Sequence, residues 1–75
     1  MNTPTYGVVL LHSTQPAIKA EKILKEAEIK IKLIPVPRHL SSDCGICLRF
    51  EFSDAQMVES TLASKGVQIE GVYPL

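Results

Sequence analysis

The spacing of apolar positions changes along the chain, and each spacing predicts an element. Tyr6-Gly7-Val8-Val9-Leu10-Leu11-His12 is an almost unbroken apolar run containing β-branched residues, which predicts a buried strand over residues 6–12. From Ser13 and Thr14 the spacing becomes helical. Ala17, Ala20, Ile23, Leu24 and Ala27 recur on one face, and Lys19, Glu21, Lys22, Lys25 and Glu26 take the other. Either hydroxyl, Ser13 or Thr14, can cap this helix, and Pro16 is tolerated in a first turn. Glu21 and Lys25 form a favourable i,i+4 pair. The small alanines let the helix lie close to a sheet.

The period drops to two in Ile29-Lys30-Ile31-Lys32-Leu33-Ile34. Ile29, Ile31 and Leu33 point inward and the lysines outward, as in a half-covered strand at a sheet edge. Pro35 and Pro37 end it, because neither can donate a ladder hydrogen bond. A polar loop runs to Asp43. Period two returns over residues 46–52, with Ile46, Leu48, Phe50 and Phe52 on one face and Cys47, Arg49 and Glu51 on the other. Ser53-Asp54-Ala55-Gln56 reads as a capping box opening a second helix. Ala55, Val58 and Leu62 are its buried stripe, and Gly66 suits the position that stops it. Residues 67–73 predict a last strand. On this reading Val9, Leu11, Ile34 and Cys47 lie on a sheet face that no helix covers. Such a face suits a homodimer or a partner protein.

The order β-α-β-β-α-β predicts a ferredoxin-like α+β fold. Its sheet has four antiparallel strands in the order 4-1-3-2, with two helices on one face. Residues 1–75 are expected to form a single domain of this kind. A chain this short buries only about 60% of its unfolded surface, which sets its stability at roughly 3–5 kcal/mol. Leu10, Ile23, Ile31, Leu48, Phe50 and Leu62 are the expected core.

Charge narrows the partners. Eight basic and eight acidic residues cancel, so no electrostatic footprint for nucleic acid exists. A hydrophobic fraction of 45% argues against disorder. The N-terminus lacks a cationic leader region, and the apolar run at residues 8–11 is too short for a signal or a membrane span. The expectation is a cytoplasmic protein that does not engage a membrane. In that compartment cysteines are thiols, so Cys44-Gly45-Ile46-Cys47 reads as sulfur or metal chemistry rather than as a structural staple.

The predicted topology gathers the candidate chemistry at one end. His12, Ser13 and Thr14 come from the end of the first strand and the start of the first helix. Pro35, Arg38, His39, Cys44 and Cys47 come from the loop and the start of the third strand, and Lys65 closes the second helix. Thiolate is the nucleophilic form of cysteine, and a cation or helix N-terminus lowers its pKa from about 8.5 into the range of roughly 3.5–7.5. Arg38, His12, His39 and the helix N-terminus are the candidates to do so for Cys44. Gly45 leaves the neighbouring backbone open to a bulky partner. Plainer readings stand beside these. Cys44 and Cys47 can be small hydrophobes, the histidines solvent-facing, the arginines solvating, and Ser13 and Thr14 simply a cap. An anion could use the same helix start, but no Gly-rich loop supports it.

Several segments together resemble one small family. They are His12-Ser13-Thr14, Ala17, Ala20-Glu21-Lys22, Leu33-Ile34-Pro35-Val36-Pro37-Arg38, Ser41-Ser42, Cys44-Gly45 and Leu48-Arg49-Phe50. The chain resembles, over nearly its whole length, the selenium/sulfur carrier-like proteins. The resemblance implies that Cys44 is the functional cysteine and holds a persulfide or selenopersulfide. By analogy with other sulfur carriers, the partners implied are a cysteine desulfurase-like donor and an acceptor protein, with no cofactor. The protein would be a carrier rather than an enzyme. Two positions depart from the family: Cys47 stands where a small or apolar residue is usual, and Glu28 where a helix-ending glycine is usual. Three alternatives remain open. One is a thiol–disulfide element using Cys44 and Cys47. Another is a zinc site from Cys44, Cys47, His12 and His39. The last is a non-catalytic interaction domain.

Overall fold

The computed structural model describes residues 5–38, 40 and 45–75. The elements are β1 (Tyr6–Leu10), α1 (Thr14–Glu26), β2 (Ile31–Pro35), β3 (Ile46–Glu51), a 3-10 turn (Phe52–Asp54), α2 (Ala55–Ser64) and β4 (Gly71–Pro74). The strands form one sheet in the order β2-β3-β1-β4, and every neighbouring pair is antiparallel. That is the expected α+β arrangement, read from the other edge.

The two periods in the sequence meet in one core. Val9 and Leu11, with Leu48 and Phe50 from β3, pack against Ala17, Ala20 and Leu24 of α1 and Val58 and Leu62 of α2. Both helices therefore cover the same sheet face. Ile23 and Ile31 pack around this cluster, half-buried. Leu33 lies opposite Leu48, on the helix side, yet stays 39% exposed because β2 is an edge. The Lys25–Glu21 pair forms at 3.6 Å on the outer face of α1.

The structure corrects the expected faces of β1. Val9 pairs with Leu48, and Leu10 pairs with Cys47. Directly paired residues share a face, so Val9 and Leu11 belong to the helix side, while Val8 and Leu10 join Cys47. Leu10 is core, but of this second cluster. The face expected to be uncovered is partly covered. Ile34, Val36 and Leu40 pack against Val8, Leu10 and Cys47, so the segment leaving β2 folds over the sheet.

The helix starts differ from expectation too. Ser13 is extended and its side chain makes no cap hydrogen bond; Ala17 N–H reaches the Ser13 carbonyl at 3.3 Å instead. The capping box does not form, because α2 is entered through the 3-10 turn and Asp54 takes the cap position without a side-chain bond. Phe52 falls in that turn rather than in β3, and Ala27, expected on the buried stripe, is exposed.

The helix ends follow one rule twice. Gly66 has φ 74°, its N–H reaches Ala63 O at 3.1 Å, and Val67 N–H reaches Leu62 O at 3.0 Å. These paired bonds satisfy carbonyls that the last helical turn leaves unmet. At α1 the same two bonds run from Glu28 N–H to Lys25 O and from Ile29 N–H to Leu24 O, both at 2.9 Å. Here the left-handed residue is Glu28, φ 63°. A side chain in that region costs about 1–2 kcal/mol. Glycine lacks this cost but loses more chain entropy, about 0.4–1 kcal/mol. Glu28→Gly should therefore stabilise the protein by about 0.5–1 kcal/mol. A urea midpoint that rises at unchanged slope would show this; a midpoint that falls would contradict it.

Candidate functional site

The sheet register decides which termini meet. Leu10 lies opposite both Cys47 and Gly71, and Pro35 lies opposite Ile46. The ends of β1 and β2 and the starts of β3 and β4 therefore share one end of the sheet. The start of α1 follows β1 there, which places His12, Ser13 and Thr14 at this end, all exposed. Arg38 is exposed in the segment after β2. Lys65 caps α2, which returns to the same end before β4. The expected gathering at one end holds for these residues. Cys44 and His39 lie outside the described residues.

Gly45 is the described residue nearest to Cys44 in the chain. It is exposed with φ 78°, and a Cβ built on it would meet nothing within 4 Å. Backbone conformation, not crowding, therefore calls for glycine here. Its carbonyl accepts the Val36 N–H at 3.1 Å, one step beyond the last ladder pair. The backbone at Gly45 is thus pinned on one side and open on the other.

Cys47 is the opposite case. Strand alternation puts it on the face away from the helices, and it is 0% exposed. Val8 and Leu10 flank it, and Val36 and Leu40 pack on the same cluster. Its Sγ–H donates to the Pro35 carbonyl at 3.9 Å, a long contact between neighbouring strands. A sulfur atom so enclosed cannot meet a partner protein while the cluster is intact. The expectation that Cys47 is a sheet residue is met, and the cover over it was not foreseen. Val36 and Leu40 sit among prolines and polar residues that read as a plain loop. Their apolar character was the one available signal.

Among the described residues, no group of three His, Cys, Asp or Glu side chains is placed to hold a metal ion. Of the four residues in the zinc reading, Cys44 and His39 lie outside the description, Cys47 is enclosed and His12 is exposed. No helix among them is long and apolar enough to cross a membrane.

One feature of the other sheet face escaped the sequence. The Arg49 guanidinium carbon sits 4.3 Å from the centre of the Tyr6 ring. Cation and ring attract one another at this distance. The pairing Val8↔Arg49 makes Tyr6 and Arg49 diagonal neighbours on one face, which only the register reveals.

The family model described as "Putative Se/S carrier protein-like" matches residues 6–74. No curated protein and no solved structure matches the chain.

Proposed function

The chain belongs to the Se/S carrier protein-like family, and from that premise we propose that it carries sulfur or selenium on Cys44 between partner proteins. In this reading a ferredoxin-like platform presents the cysteine at the loop end of the sheet. A cysteine desulfurase-like donor in the cytoplasm offers a persulfide. The Cys44 thiolate attacks its outer sulfur, the donor's S–S bond breaks, and the donor cysteine leaves as thiolate with the electron pair. Cys44 then holds the persulfide until an acceptor thiolate repeats the exchange. Nothing is oxidised or reduced overall, and the protein is a carrier rather than an enzyme. A selenium atom in the outer position gives the selenopersulfide by the same step.

The observation that carries this assignment is the complete burial of Cys47. It directs exchange with another protein to Cys44, beside the exposed Gly45. It also weighs against a Cys44–Cys47 couple, which needs both sulfurs to react. Arg38, His12 and His39 would favour the anionic form of Cys44 by charge.

Whole-protein mass after incubation with a cysteine desulfurase and cysteine tests the reading. The wild type should gain one sulfur atom, Cys44→Ala none, and Cys47→Ala most of the wild-type amount. Equal loss in the two variants, or loading of Cys44→Ala, would overturn it. A small alkylating reagent near neutral pH should label Cys44 and spare Cys47, and Arg38→Ala should slow the labelling.

A further inference from the structure

The face turned away from the helices also holds a charged groove that sulfur transfer does not use. Lys32 and Arg49 lie directly opposite one another on β2 and β3. Like charges in that position oppose sheet pairing. Among the described residues, neither is ion-paired with a carboxylate. The groove is lined by Lys30, Lys32, Arg49, Glu51 and Tyr6. Ile31 and Phe50 pair with each other and line its floor. Their side chains pack toward the helices, so they present backbone to the groove.

Size and charge select the occupant. Same-face residues along a strand are about 6.5–7 Å apart, which sets the gap between Arg49 and Glu51 along β3. That admits one tetrahedral oxyanion, and is too narrow for a helix of about 10 Å diameter. Three cations and one carboxylate leave two positive charges, from Lys30, Lys32, Arg49 and Glu51. A phosphate monoester carries about −1.5 to −2 near pH 7, whereas a carboxylate carries half that. The guanidinium fork matches phosphate with two parallel hydrogen bonds, and stacking on Tyr6 holds Arg49 in place.

We propose that this groove binds the dianionic phosphate group of a small ligand, with Arg49 and Lys32 as its main contacts. The groove lies at the end of the sheet opposite Gly45, so Cys44→Ala should bind phosphate as the wild type does.

The test is a titration of the full chain, followed by amide nitrogen–proton shifts at constant ionic strength. The probes are inorganic phosphate, glycerol phosphate and acetate. Phosphate should give saturable shifts at Tyr6, Ile31, Lys32, Arg49 and Phe50, and acetate should not. Arg49→Gln and Lys32→Gln should each weaken binding by at least about tenfold. Arg49→Lys, which keeps the charge and loses the fork, should weaken it too. Lys32 is exposed, so Lys32→Gln keeps the test valid if an Arg49 variant folds poorly. Tighter binding of glycerol phosphate marks an ester as the ligand; equal binding marks the phosphate group alone, and either supports the site. Absence of saturable shifts, equal shifts with acetate, or unchanged affinity in Lys32→Gln and a folded Arg49→Gln would overturn it.

Discussion

Phe50→Ala should leave the protein largely unfolded at room temperature. Phe50 is 1% exposed and sits in β3, flanked by Ile31 of β2 and Gly7 of β1. Its side chain enters the cluster that joins both helices to the sheet. Truncating a buried phenylalanine costs about 3–5 kcal/mol through lost transfer energy and the cavity left behind. A chain of this length has roughly 3–5 kcal/mol to lose. Circular dichroism and urea titration should show the cooperative transition weakened or gone. Phe50→Leu should retain it at a smaller cost. A Phe50→Ala variant that melts like the wild type would mean that Phe50 does not face the helices.

Gly7→Ala should be almost as damaging, although it adds a single carbon. A Cβ at Gly7 would lie 2.6 Å from Phe52 Cδ1, 3.0 Å from Phe50 Cζ and 3.1 Å from the Tyr73 carbonyl oxygen. Real side-chain carbons do not approach so closely, so a ring must move. The backbone of β4 limits the retreat. Overpacking of this kind costs about 1–3 kcal/mol. The cause can be isolated. In a Phe52→Ala background the same substitution should cost at least about 0.5 kcal/mol less, because the ring it strikes is gone. Additive costs in urea unfolding would show that the two residues do not touch. Gly7→Val should be worse than Gly7→Ala in either background.

How far the sequence led depends on whether a feature is local. The change from period two to helical spacing is local, and it placed both helices and all the strands in order. Gly66 marked the end of α2, because a left-handed residue is a local need too, whereas the left-handed position at Glu28 was signalled only by the family resemblance. The face of each β1 residue is not local. Residues 8–11 are apolar at every position, so only pairing with Leu48 and Cys47 decides which of them meets the helices. The cover of Val36 and Leu40 over Cys47 is likewise a contact between distant parts of the chain. Ser13 and Ser53 have the right side chains for caps, yet neither helix is capped by a serine side chain, a matter of local conformation that residue type alone did not settle. In the candidate site, topology gathered His12, Ser13, Thr14, Arg38 and Lys65 at one end, whereas Cys44 was singled out by its chemistry and the motif around it, and Gly45 as its neighbour. The groove at Arg49 was hidden because its lining residues come from separate strands.

The hydrogen bond from Val36 to the Gly45 carbonyl bears on how such a protein can diversify. It closes a ring of chain whose two ends the sheet already holds together. The entropic cost of closing a ring of chain grows only with the logarithm of its length, about 0.6 kcal/mol for each doubling. Insertions between Val36 and Gly45 therefore carry little thermodynamic penalty, provided Leu40 keeps its place over the sheet. The stretch bearing Cys44 and the framework that anchors it are in this sense separately evolvable. One can change while the other goes on folding as before.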